Sequence, residues 1–204
     1  MGCGARRTGR HLDRRRRRAV VITPSQTVGP FYGYALPFAR GGEIAPAGDP
    51  RTITLHGVVR DGAGAPIPDA LLEFWQAAPD GSLGGAPGSM RRDPVDGAVI
   101  GRDGVEFTGF GRVPTDADGH YAVRTLPPPG GAPYVSVAVF ARGLTHHLYT
   151  RAYLPGCAED VLLASLPEER RGTLVAREER ERVYRFDIRL QGDEGEETVF
   201  LEFR

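Results

Sequence analysis

The sequence predicts an all-β protein, a β-sandwich with long loops and one short helix. Three observations carry that prediction. The 28 glycines and 17 prolines of the 204-residue chain fall mostly between short apolar stretches, which punctuates many short strands rather than long helices. Several of those stretches alternate apolar and polar residues with the period of two that a half-buried strand requires. Asp-Gly pairs stand directly before such stretches, where they favour tight turns.

Taken in order, the first strand is "TITLHGVVRD" (Thr52–Asp61), with Ile53, Leu55 and Gly57 on one face and Thr54 and His56 on the other. The turn "DGAGAPIPD" follows, and "ALLEFWQA" (Ala70–Ala77) is the next strand. "DADGHYAVRTL" (Asp116–Leu126) places an Asp-Gly turn before a third strand. "PYVSVAVFARG" (Pro133–Gly143) is nearly all apolar and rich in valine, as expected of a central strand covered on both faces. "VYRFDIRL" (Val183–Leu190) alternates strictly, with Tyr184, Phe186, Ile188 and Leu190 inward, and "TVFLEF" (Thr198–Phe203) is expected to pair with it as a hairpin. One helix is expected over Pro167–Arg177, with Ser165 as its cap, Pro167 at its start, and Glu168 and Glu169 favouring its N-terminal end. Residues 23–50 and 78–112 lack periodicity and read as long loops, which in a compact domain usually serve function or contacts.

A formal net charge of zero conceals an uneven distribution. Residues 1–18 hold eight arginines and one acid, leaving 18 basic and 25 acidic residues in the rest of the chain. A mildly acidic body argues against nucleic acid as a partner. The head, residues 1–21, reads as an arginine-rich disordered extension, of which residues 1–18 are expected to be dispensable, and residues 22–204 as one domain. No apolar run approaches the roughly 18–20 residues of a membrane span. Two cysteines, Cys3 and Cys157, make no disulfide framework and suit a cytoplasmic protein.

Three stretches in order resemble the intradiol ring-cleavage dioxygenases. They are "LHGVVRDGAGAPIPDALLEFWQAAPDG" (Leu55–Gly81), "GFGRVPTDADGHYAVRTLPPPG" (Gly109–Gly130), and "APYVSVAVFARGLTHHLYTRAYLPG" (Ala132–Gly156). Together with "FARG", "RFDIRLQG" and "ETVFLEF", the segment "TPSQTVGPFY" (Thr23–Tyr32) narrows the resemblance. It resembles the alpha subunits of the members that cleave protocatechuate, from about Ile22 to Arg204. The resemblance implies an intradiol dioxygenase or transthyretin-like sandwich. It also implies Fe(III) in the holoenzyme and a beta subunit as partner.

Catalytic members of that family hold ferric iron with two tyrosinates and two histidines, an anionic and imidazole donor set suited to a hard cation. This chain departs from that pattern. Leu83 stands where the first tyrosine is implied, and Tyr134 and Ser136 stand where the family has His-x-His. Residues i and i+2 of a strand point the same way, so both would face one site. No His-x-His occurs in the sequence, and the metal is therefore expected in the partner and not here.

The adjacent His146 and His147 would face opposite ways on a strand. "DADG" lacks the spaced acids of a calcium loop, and Trp75 reads as a core aromatic. The resemblance leaves Thr27, Gly29 and Pro30 of "TVGP", with Arg142 of "FARG", as substrate-pocket residues and no catalytic residue in this chain. Glycine and proline suit a stiff loop, and an arginine offers charge and fixed donors to an anion. The alternative is a non-enzymatic transthyretin-like binding module.

Overall fold

The computed structural model describes residues 24–86, 88–158, 160–193 and 195–203. The arginine-rich head, with Cys3, lies outside the described residues. In chain order the elements are α1 (Tyr32–Ala35), β1 (Ile53–Arg60), β2 (Leu71–Trp75), β3 (Met90–Arg92), β4 (Val99–Arg102), β5 (Phe110–Pro114) and β6 (His120–Thr125). There follow β7 (Tyr134–Phe140), β8 (Leu148–Tyr153), α2 (Val161–Ser165), α3 (Glu168–Gly172), β9 (Arg177–Arg180), β10 (Val183–Arg185) and β11 (Ile188–Arg189). No helix among the described residues is long and apolar enough to cross a membrane.

Two sheets face each other. In one, β1 pairs antiparallel with β6 and parallel with β10 and β11, and β9 adds to β10. The other has the order β5-β2-β7-β8, antiparallel throughout, so β7 is central as expected. Leu55, Val59, Tyr121, Val123, Phe186 and Ile188 from the first sheet meet Leu72, Phe74, Val135, Val137 and Val139 from the second in one core. Strict alternation of burial along β1 follows the apolar pattern of its sequence. Only part of the second face of β7 is covered: Ala138 is buried, and Tyr134, Ser136 and Phe140 are half-buried.

The turn before β6 forms as its sequence predicts. Asp116 accepts from the backbone N–H groups of Asp118 and His120 through Oδ1 at 3.0 and 2.9 Å. Gly119 adopts φ +73°, and a Cβ there would lie 2.8 Å from the carbonyl oxygen of Val59, so glycine is required on both counts.

Three expectations are corrected. The run 183–190 does not form a hairpin with 198–203. One register carries it parallel along β1, from Thr54↔Val183 to Arg60↔Arg189, with a break at Phe186 and Asp187. There the carboxylate of Asp187 accepts from the Val58 N–H at 2.9 Å, and the hydroxyl of Tyr121 donates to the Phe186 carbonyl at 2.5 Å. The return segment touches the run only at its start, where Thr198 N–H donates to the Arg189 carbonyl. It then crosses to β8, where Leu201 N–H donates to the Tyr149 carbonyl at 2.8 Å.

Where one helix is expected, the described residues hold three short ones, and the expected one is shortened to α3. Ser165 ends α2 instead of capping the next helix, its hydroxyl donating to the Leu162 carbonyl. Asp160 caps α2 through Leu163 N–H at 3.0 Å. Pro167, Glu168 and Glu169 do open α3, but it stops at Gly172 because the chain beyond pairs with Tyr153 through Leu174 and Ala176. The supposed loop 78–112 contains the β3–β4 hairpin and the start of β5.

Candidate functional site

Two concave regions flank the second sheet. The first is a corner made by the 26–32 segment and the turn after β7. Thr27 and Pro30 are exposed, and Gly29, at φ +75°, is half-buried with open space where a Cβ would lie. Glycine is therefore required here by its backbone conformation and not by crowding. A cavity of about 280 Å³ runs between Gln26 and Val28 on one side and Phe140, Leu144 and His147 on the other.

Arg142, with two-thirds of its side chain exposed, donates through Nε to Asp69 Oδ2 at 2.6 Å and through Nη2 to the same carboxylate. Buried Tyr32, two residues past Pro30, donates its hydroxyl to the backbone carbonyl of Asp69. Burial first, and the Asp69 charge second, raise the pKa of Tyr32. One residue, Asp69, thus ties the loop and the guanidinium together. Sequence reasoning did not single out Asp69 or Tyr32; Asp69 lies in a turn and Tyr32 opens α1, and their pairing depends on tertiary structure. His146 and His147 are exposed in the turn ahead of β8, and His147 Nε2 lies 2.7 Å from the Tyr149 hydroxyl.

The second region is a cavity of about 460 Å³ at the end of β2, β5 and β7. Leu83, Tyr134 and Ser136 all line it, so the three positions singled out by sequence face one space. Trp75 lines it too. Its side chain is 53% exposed and packs on Phe110 with ring centroids 4.4 Å apart, which corrects its reading as a core aromatic. It ends β2 on the outer face of the sheet, while its neighbour Phe74 enters the core. Tyr134 carries the Arg151 guanidinium over its ring at 3.8 Å, and Asp160 holds that guanidinium at 2.7 Å.

Leu83 has no donor atom and is 84% exposed, Ser136 offers one neutral hydroxyl, and Tyr134 is a single phenol. This set does not fit ferric iron, which needs several anionic or imidazole donors at once. Among the described residues there is no group of three or more His, Cys, Asp or Glu able to hold a metal ion.

Comparison with known proteins gives the lineage. The chain is 40% identical over 204 aligned residues to the protocatechuate 3,4-dioxygenase alpha chain of Burkholderia cepacia, covering 88% of this chain and 96% of that one. The chain belongs to the protocatechuate 3,4-dioxygenase alpha chains. It is also 30% identical to the beta chain from Burkholderia cepacia, over 69% of this chain and 64% of that one. No family model matches it. Among solved structures it is similar to the dioxygenase domain of a dioxygenase carbohydrate-binding protein fusion from Streptomyces sp. SirexAA-E. The TM-score is 0.52 with 26% identity, covering 83% of this chain and 98% of that one. The chain keeps the intradiol-dioxygenase fold, and Leu83, Tyr134 and Ser136 line one cavity within it.

Proposed function

We propose that this chain is the iron-free subunit of an alpha–beta protocatechuate 3,4-dioxygenase, cytoplasmic and inactive alone. The holoenzyme uses O2 to cleave the ring of 3,4-dihydroxybenzoate between its hydroxylated carbons, giving 3-carboxy-cis,cis-muconate. The beta subunit holds the Fe(III), which supplies the redox chemistry. Thr27, Gly29, Pro30 and Arg142 form part of the substrate-pocket wall, where the guanidinium meets the substrate carboxylate.

The observation that carries this reading is the pairing of alpha-chain ancestry with a cavity whose donor set cannot hold iron. Purified alone, the chain is expected to be colourless, with iron far below one per chain, and to consume no oxygen with protocatechuate. Co-expressed with the beta subunit, it is expected to yield a complex that gains tyrosinate-to-iron colour and oxygen uptake together. A coloured, active preparation of this chain by itself would refute the assignment.

A further inference from the structure

We propose that the cavity lined by Leu83, Tyr134 and Ser136 is itself a metal-free binding site for a single-ring aromatic carboxylate. The site is separate from the Thr27–Arg142 corner, and the proposal does not rest on the function proposed above.

The cavity's 460 Å³ lies within the range of small-molecule sites, with room for one substituted ring. Its walls are amphipathic. Trp75 and Phe110 present a tilted aromatic pair, and Leu83 closes the rim. Polar groups are sorted sharply between occupied and free. Gln76 is spent, donating to the Leu126 carbonyl at 2.7 Å and accepting from Thr125 at 2.8 Å. The Thr108 hydroxyl donates to the Phe110 carbonyl at 3.0 Å. The hydroxyls of Tyr134 and Ser136 meet no hydrogen-bond partner among the described residues.

Charge gives the ligand its sign. Three guanidiniums border this end of the sheet. Glu73 engages Arg112 at 2.8 Å, and Asp160 engages Arg151 at 2.7 Å. Arg102 has no carboxylate within salt-bridge distance among the described residues. Its Nη1 donates to the Ser89 hydroxyl at 2.8 Å, while its Nε is buried and meets no acceptor. The guanidinium lies 5.4 Å from the centre of the Phe110 ring and 5.9 Å from that of Phe38. Asp103, next in the chain, acts on this guanidinium only from beyond salt-bridge distance, and a half-buried cation against aromatic faces with no carboxylate in direct contact is what a ligand carboxylate offsets. The ring then packs on Trp75 and Phe110, and its hydroxyls reach Ser136 and Tyr134.

Trp75 is the chain's one tryptophan, so its fluorescence reports on this cavity directly. The full chain, without partner or iron, is titrated with 4-hydroxybenzoate and, separately, with uncharged benzyl alcohol. The carboxylate is expected to give a saturable change with half-saturation below about 1 mM, and the alcohol none in that range. Arg102→Met is expected to weaken the carboxylate by about 10- to 150-fold, the loss of a charged hydrogen bond. Ser136→Leu, which fills the cavity and keeps the cation, is expected to abolish saturation, and it decides the matter if Arg102→Met does not fold. Three results overturn the proposal: no saturation up to about 10 mM, equal affinity for benzyl alcohol, or unchanged affinity in a folded variant.

Discussion

Arg142→Ala tests the proposed role of the 26–32 corner. Of the five N–H donors of the guanidinium, one on Nε and one on Nη2 are engaged by Asp69, which leaves three for a ligand. The guanidinium end of the pair with Asp69 is mostly exposed and screened, so its removal has modest bearing on stability, and the melting temperature of the complex should change little. A substrate carboxylate held through the remaining donors loses a charged hydrogen bond, worth about 10- to 150-fold in binding. The carboxylate is remote from the bonds that break, so ground and transition states lose alike: KM rises by that factor and kcat changes much less. Steady-state oxygen uptake by the alpha–beta complex over a range of protocatechuate concentrations reads both constants. Arg142→Lys keeps the charge without the fork and should recover part of the loss. Asp69→Asn leaves the guanidinium in place but less firmly seated and should raise KM by a smaller factor. An unchanged KM in Arg142→Ala would remove this residue from the pocket.

Two further predictions concern the frame. Tyr121→Phe keeps the ring packed 5.6 Å from that of Phe74 but leaves the Phe186 carbonyl without its hydroxyl donor. It should cost about 1–3 kcal/mol in urea denaturation, and a loss under about 0.5 would show the bond to be dispensable. Alkaline pH should destabilise the chain. Burial raises the pKa of Tyr121 well above 10.0, and burial foremost pushes Tyr153 up to about 12. Above pH 10 the unfolded chain therefore releases protons that the folded chain retains, and stability falls as pH rises through that window and not below it. A urea midpoint that stays level from pH 10 upward would contradict the burial of these phenols.

The sandwich was legible because its strands announce themselves locally. Alternation in Ile53–Arg60 and the valine-rich run Tyr134–Phe140 both map onto strands. Asp116 and Gly119 build their turn from their own side chain and φ. What the sequence hid was partner choice. Val183–Arg189 alternates as a hairpin strand would, yet its hydrogen bonds go to β1, a decision made by Gly57. A Cβ there would lie 1.9 Å from the Phe186 carbonyl oxygen. The helix expected over Pro167–Arg177 lost its second half to tertiary pairing with Tyr153. In the site, Leu83, Tyr134 and Ser136 could be picked out by position and do share a cavity. Asp69, Arg102 and the exposure of Trp75 could not, because each depends on which strand ends meet in space.

The parallel attachment of residues 183–189 to β1 sets a condition on how the chain comes into being. Val58 and the Asp187 carboxylate that takes its N–H are 129 positions apart, with nearly the whole domain synthesised between them. On the ribosome β1 can pair early with β6, but the partner for its parallel ladder emerges much later. Closing so long a loop before any contact rewards it is slow. Until then a strand edge stands open, and a neighbouring nascent chain can pair with it. A transcript broken before codon 183 thus yields a polypeptide that retains most of the core residues while lacking the segment that closes the sheet. In this fold, residues 183–189 act as the latch for the first strand.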